Sequence, residues 1–210
     1  MTDLNFYIES PRLYLSYFQP DLDAHCDFLV ELYNTPEFIR DATGGAGTAI
    51  VDRAAAHERL STRFVAEHDR NGYGTLLVSL KPSNPASLDG DAPFQERLAR
   101  CKPIGTVSLM RGDSPTAYKA PDLGFAILPE EMRKGYAKEA ATAVLAWARR
   151  ERGMDVVLGL FDPTNEGSKG TFRSLGFEDR GVHKLVEFGG VVGAVWISPG
   201  ADEDLSVYGI

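Results

Sequence analysis

The segment Met132-Arg133-Lys134-Gly135-Tyr136-Ala137-Lys138 sets three cations around a glycine at the head of an alanine-rich amphipathic run. Before it, the apolar run Leu123–Leu128 reads as a buried strand that Pro129 stops, so the chain passes from strand through turn to helix. A turn of that kind directs free backbone N–H groups, and the positive end of the helix dipole, at one point. Such a point is an anion site. Gly135 lets an oxygen approach the main chain, Ala137 is too small to obstruct it, and Arg133, Lys134 and Lys138 add charge, so the span from Arg133 through Tyr136 to Lys138 can hold a pyrophosphate. Taken alone, the turn also reads as a surface loop with solvated cations. The G-x-x-x-x-G-K-[ST] pattern of a nucleoside triphosphatase is absent.

Other residue groups are less directive. Gly44-Gly45-Ala46-Gly47 begins a G-x-G pattern, but Ile50 stands where the last glycine would fall and no strand precedes it, so a flexible loop near a substrate is the better reading. His25, His57, His68 and His183 are scattered, and only His183, beyond Gly176-Phe177, falls where an acceptor-facing loop is expected. Glu130 and Glu131 suit a helix start. Cys26 and Cys101 have neither metal-ligand spacing nor the pattern of a disulfide framework, and no carboxylate and histidine cluster has metal spacing, so no metal is expected. No G-x-S-x-G elbow points to a serine hydrolase.

Those residues must be held by a core, and 210 residues with 43% apolar content supply one for a single domain over residues 1–210. Thirty acidic against 22 basic side chains, a formal charge of −8, argue against nucleic-acid binding by phosphate neutralisation. The excess suits a cationic acceptor, or solubility alone. No run approaches the roughly 20 apolar residues of a membrane span. An acid stands in the N-terminal segment where a signal peptide carries basic residues, so the expectation is a cytoplasmic protein with no membrane partner.

Patterning predicts a mixed α/β (α+β) fold. Strands are expected at Arg12–Phe18, Tyr73–Leu80, Ile104–Met110, Leu123–Leu128, Val156–Phe161, Leu185–Phe188 and Val191–Ser198, the last two around a Gly189-Gly190 hairpin. Helices are expected over Leu22–Asn34, Asp52–Asp69, Gly135–Arg152 and Glu166–Leu175, with a short one at Phe94–Ala99 inside an inserted loop, residues 81–103. The tail, residues 199–210, is polar and reads as loose.

At the Met132–Ala137 turn the chain resembles the GNAT superfamily of acyl-CoA-dependent N-acetyltransferases, whose signature is [QR]-x-x-G-x-[GA] after a strand. Asn165-x-x-Ser168 and Leu175-Gly176-Phe177 resemble its second signature. Ser10-Pro11-Arg12-Leu13-Tyr14-Leu15 resembles the opening of the branch containing the ribosomal-protein N-terminal (Rim-type) acetyltransferases, so the likeness covers about residues 8–198. The resemblance implies a mostly antiparallel sheet of about seven strands with about four helices, splayed between its fourth and fifth strands. It implies acetyl-CoA as co-substrate, with Phe125, Ala126 and Ile127 pairing their backbone with the pantetheine arm and Arg133 to Lys138 cradling the pyrophosphate. Asn165 would hydrogen-bond the arm, and Ser168 would lie near the sulfur. The expected acceptor is a primary amine, of a small molecule or a protein N-terminus, and the expected assembly a monomer or homodimer. The alternative is a CoA-binding or regulatory module with little or no turnover.

Two positions depart from that pattern. Met132 replaces the preferred Gln or Arg but leaves the backbone donors in place. Phe172 stands where many relatives have a Tyr that protonates the leaving thiolate, and a phenyl ring has no proton to give. Direct transfer needs a neutral amine, and an alkylammonium titrates near 10, so a base or water chain must take its proton. Asp122, at the start of the splayed strand, is the candidate base, and its alternative is a solvated acid at a strand end. Ser168 is the candidate proton relay to sulfur, and its alternative is hydrogen bonding at a helix start.

Overall fold

The computed structural model describes residues 3–84 and 91–210, so the centre of the expected 81–103 insertion lies outside the described residues. One sheet organises the chain. Its strands are β1 (Tyr7–Glu9), β2 (Leu13–Ser16), β3 (Thr75–Leu80), β4 (Lys102–Met110), β5 (Asp122–Ile127), β6 (Leu158–Phe161), β7 (Glu178–Leu185) and β8 (Val191–Ile197), in the spatial order β1-β2-β3-β4-β5-β6-β8-β7. Every neighbouring pair is antiparallel except β5 and β6, which run parallel and meet at one register pair, Asp122 opposite Leu158. Beyond that pair the two strands part, which is the expected splay.

Helices cover both faces, which is why β3 and β4 are buried along most of their length. On one face lies α6 (Tyr136–Arg152), whose narrow stripe of Ala140, Ala141, Val144 and Ala148 packs closely on Leu76, Val107, Leu109 and Leu123. Gly153 ends it in the left-handed region at φ 60°, as a helix C-cap requires. The short α7 (Glu166–Ser174) adds Phe172 to the same layer. The other face is covered by α1 (Asp23–Tyr33) and by a continuous segment made of α3 (Arg53–Arg59), a π-helical turn (Leu60–Phe64) and α4 (Val65–Asn71). Leu29, Leu32, Ala56, Leu60 and Phe64 meet Leu77 and Leu128 there. No helix among the described residues is long and apolar enough to cross a membrane.

The structure corrects several expected boundaries. An eighth strand, β1, and a further helix, α2 (Pro36–Thr43), are present. The α2 helix starts where the preceding one was expected simply to stop: the Thr35 hydroxyl accepts the Phe38 N–H, Pro36 takes the first turn, and Gly44 closes the end at φ 60°. The expected strand Leu185–Phe188 is instead β7 over Glu178–Leu185 followed by a 3-10 turn, Val186–Phe188. Its polar sequence hid it, because β7 is the exposed edge of the sheet. The tail is tied down rather than loose. Tyr208 is buried, its hydroxyl accepts the Asp202 N–H (2.6 Å), and its carbonyl accepts the Lys119 N–H (2.9 Å). The short helix in the insertion is α5 (Phe94–Leu98), stacked through Phe94 on Tyr7 at the opposite edge of the sheet.

Candidate active site

A cleft of about 1270 Å³ opens where β5 and β6 part. Alternation along β4 and β5 decides which backbone groups face it. The Leu128 N–H donates to the Ile104 carbonyl (2.8 Å), so in the antiparallel register Ala126 and Gly124 also turn their polar groups toward β4. Phe125 and Ile127 are left with N–H and C=O directed at the gap. Ala126 lines the cleft through its side-chain face alone.

The turn before α6 has the geometry of an anion cradle. Arg133 takes a positive φ of 62°, the one non-glycine among the described residues to do so, and Gly135 follows at φ 83° as the residue preceding the helix. No side chain caps that helix end, so the N–H groups of Tyr136, Ala137 and Lys138 are unsatisfied at the cleft. Arg133 and Lys138 line the cleft beside them with no ion pair among the described residues. Lys134 does not join them. Its ammonium is held by the buried Glu131 (2.8 Å), which also binds Lys102 (2.7 Å), so the expected contribution of Lys134 to the cradle is corrected to bracing the turn.

The Ser10-Pro11-Arg12 opening acquires a physical role here. Glu139, in the first turn of α6, accepts from the Ser10 hydroxyl (2.7 Å), the Arg12 N–H (2.7 Å) and the Arg12 Nε (2.6 Å). Burial alone would raise the Glu139 carboxyl, but these donors outweigh it and hold it below its ordinary value. Arg12 also donates to the Lys134 carbonyl (3.1 Å) and stacks on the Tyr136 ring (4.4 Å). The N-terminal strand thus clamps the cradle from outside.

Asp122 sits at the point where the strands separate, half-buried, with its Oδ1 accepting the Leu160 N–H (3.0 Å). The Leu158 N–H reaches the Pro121 carbonyl, so a parallel ladder carried one step further would give the Leu160 N–H to Leu123. The Asp122 side chain takes that bond instead and ends the ladder. Burial pushes its carboxyl up to about 8, against the opposing effect of the Leu160 N–H. Asn165 caps α7, its Oδ1 accepting the Ser168 N–H (2.9 Å), which leaves the amide NH2 to donate. Ser168 lines the cleft.

Phe172 is 2% exposed and stacks on Phe161 (5.1 Å, 5°), with Phe125, Phe177 and Trp196 around it. A Cβ on Gly159 would lie 2.5 Å from its ring, so the glycine is what admits the phenyl group. Trp147 and Trp196 are core residues.

Several cleft residues escaped the sequence reading. Thr75, Thr106 and Ser108 form a hydroxyl floor on the α1 face of β3 and β4, with Thr75 and Ser108 in direct register. Their strand positions looked like core, and only the pairing brings them together. Glu37 and Asp41 come from α2, and Tyr33 from α1, where burial pushes the phenol up to about 12 so that it keeps its proton. From the hairpin come Phe188, Val191 and Val192. His183 is absent from the cleft; its Nε2 meets the Arg180 carbonyl (2.8 Å) on β7. None of the described residues of 81–103 lines the cleft, whereas Ala42, Thr43 and Gly44 do.

A search of curated proteins by sequence gives no significant match. Solved structures share the fold. An acetyltransferase named for ribosomal protein S5 alanine, from Vibrio fischeri, superposes with a TM-score of 0.62 at 18% identity over 95% of this chain and 99% of its own. The Salmonella typhimurium acetyltransferase that modifies the N-terminal serine of the 50S protein L7/L12 gives 0.61 at 15%, over 91% and 96%. The microcin C7 self-immunity acetyltransferase MccE, solved with acetyl-CoA and AMP, gives 0.66 at 13%, over 90% and 93%. The model of the acetyltransferase (GNAT) domain matches residues 12–178, from β2 through both cleft helices, and the chain belongs to that family.

Proposed function

We propose that this N-acetyltransferase moves an acetyl group directly from acetyl-CoA to a primary amine, of a small molecule or a protein N-terminus. The observation that carries the proposal is the parting of β5 from β6 beside an uncapped helix start: one cleft offers free strand backbone for an amide-rich arm and free helix N–H groups for a pyrophosphate. The residues fit the group. Phe125 and Ile127 supply the strand donors and acceptors, Arg133, Gly135, Tyr136, Ala137 and Lys138 supply the cradle, and the Asn165 amide and Ser168 hydroxyl face the same space.

The chain's own chemistry then follows. Acetyl-CoA brings the acetyl group as a thioester. Asp122, in its ionised fraction, takes the proton of the incoming ammonium directly or through one water. An outward N–H on β5 opposes the charge that grows on the carbonyl oxygen. The amine nitrogen bonds to the acetyl carbon as the carbon–sulfur bond breaks, and the second proton that the nitrogen sheds passes to the leaving thiolate, with the Ser168 hydroxyl, which lines the cleft, as the relay that takes one proton and gives another. Glu37 and Asp41 in the lining of the cleft favour a cationic amine, and a protein of this fold that modifies the N-terminal serine of a ribosomal protein makes a protein acceptor one of the two arms to test.

Thiol release from acetyl-CoA over a panel of polyamines and free-N-terminus peptides tests the proposal, and turnover with at least one amine is expected. The burial of Phe172 among aromatic rings favours one second reading, a CoA-binding module without an acid. Saturable CoA binding with no turnover on any amine would select it.

A further inference from the structure

The gap between β5 and β6 divides the sheet into two halves, and little in the backbone fixes their separation at the open end. Glu187 spans that gap. It lies in the 3-10 turn Val186–Phe188 that joins β7 to β8, on the far half. Its Oε2 accepts from the Ser114 hydroxyl (2.7 Å) and the Thr116 hydroxyl (3.1 Å), which belong to the loop between β4 and β5 on the near half. The two hydroxyls also meet each other at 3.0 Å. The fit is close, because a Cβ on Gly112 would stand 2.2 Å from the Glu187 Oε1. Beside this contact the ring of the buried Tyr118 meets Phe188 edge to face at 6.2 Å.

The loop that receives Glu187 is itself fixed at both ends. Arg70 and Asn71 of α4 donate to the Arg111 carbonyl (2.9 and 3.2 Å), and the Lys119 N–H is held by the Tyr208 carbonyl of the tail (2.9 Å). The turn that carries Glu187 leads into Gly189 and Gly190, both in the left-handed region, and its neighbours Phe188, Val191 and Val192 are 47–64% exposed while lining the cleft. An exposed apolar wall beside a reactive cleft needs a fixed height to be selective.

We infer that Glu187 is a positioning residue, a strut across the split sheet that holds the apolar hairpin wall at the width the acceptor requires. This rests on the reading that the hairpin side of the cleft admits the acceptor. The strut accounts for a carboxylate in an otherwise apolar turn.

The test compares wild type with Glu187→Ala, Glu187→Gln and the Ser114→Ala/Thr116→Ala double variant, using amide hydrogen exchange together with steady-state kinetics. An alanine tripeptide with a free N-terminus and spermidine serve as acceptor probes. Glu187→Ala and the double variant should each speed exchange across residues 186–192 by about ten-fold while leaving α6 unchanged. For any probe turned over, its KM should rise about five-fold with the KM for acetyl-CoA within about two-fold. Glu187→Gln, which keeps a carbonyl oxygen for the hydroxyls, should fall between. Unchanged hairpin exchange in Glu187→Ala, or equal losses for acceptor and acetyl-CoA, would overturn the strut. Absence of any stabilisation of wild type by CoA would instead remove the reading of the cleft, leaving the exchange result to judge the strut by itself.

Discussion

Replacing Asp122 by Asn separates its chemistry from its packing. The Asn side chain keeps a carbonyl oxygen for the Leu160 N–H, so the end of the β5–β6 ladder is preserved, but it can neither ionise nor take a proton. In the wild type the carboxyl titrates near 8 when folded and near 3.8 when unfolded, so folding takes up a proton between those values. The folded-state pKa is raised: the contribution is fully favourable below pH 3.8 and is lost as pH rises through 8. At 1.36 kcal/mol per pKa unit the span corresponds to about 5 to 6 kcal/mol, and water entering from the open cleft should screen it to about 2–3 kcal/mol. Asn carries no such cost; about three of those roughly four pKa units lie above pH 5, so the stability of Asp122→Asn relative to wild type should climb by about 1.5–2 kcal/mol from pH 5 to pH 9, roughly 3–8 °C in Tm for a chain of this size.

Thermal melts at pH 5, 7 and 9 measure the climb directly. The same variant should lose about 10²–10⁴ in kcat, together with the limb of the wild-type pH profile near 8. A Tm difference flat across that pH range would refute the desolvation argument, and activity above about a tenth of wild type would refute the base. Asp122→Ala supplies the contrast: it shares the climb with pH, because it too removes the titrating carboxyl, but it orphans the Leu160 N–H and should lie about 1–3 kcal/mol below Asp122→Asn at pH 5 and pH 9 alike.

Three further outcomes are expected. Arg133→Ala and Lys138→Ala should each raise the Kd for CoA about ten-fold, as loss of a charge-assisted contact to phosphate does, whereas Lys134→Ala should leave it within about two-fold because Glu131 already holds that ammonium; titration calorimetry with CoA checks both. Gly159→Ala forces a Cβ against the Phe172 ring and should cost about 1–3 kcal/mol, read as a lower urea midpoint. Ser108→Ala together with Thr75→Val removes two of the three hydroxyls of the floor and should raise acceptor KM by about ten-fold without changing the melting temperature by more than about 3 °C, which kinetics and a melt together decide.

How far the sequence could be read depended on whether a function rests on backbone or on side-chain placement. The anion turn needed a strand, a stop, a glycine and a helix start, all of them local signals, and Met132 could replace a polar residue without erasing them because the donors are main-chain N–H groups. Lys134 shows the limit of that reasoning. Its charge was visible, but its partner Glu131 is buried by a 3-10 turn and shared with Lys102, which lies 29 residues before Glu131 on the neighbouring strand. The α2 helix has its signals in plain view, Thr35 and Pro36 at its start and Gly44 after it, but a proline two residues beyond Asn34 reads equally well as the stop of α1. The β7 strand had no signal to find, since an edge strand facing water on both sides does not alternate.

Of the proposed acceptor side of the cleft only Asp122 could be named from sequence, for a deeper reason. Thr75 and Ser108 look ordinary one by one, and join Asp122 only because β3, β4 and β5 bring them to one face and β6 then leaves. Asp122 links the two halves of that geometry. Its carboxylate ends the parallel ladder by taking the Leu160 N–H, and the opening that results is bounded by enough protein to raise the same carboxyl into the range where a base is useful. The residue that helps to open the cleft is thus tuned by sitting in it, so moving the carboxylate elsewhere in the cleft would restore neither the end of the ladder nor the shifted titration. A second-site carboxylate, Ala126→Asp in the Asp122→Asn background, should therefore fail to rescue kcat even though position 126 lines the same cleft on the same strand; recovery of activity in that double variant would show that position within the splay is immaterial.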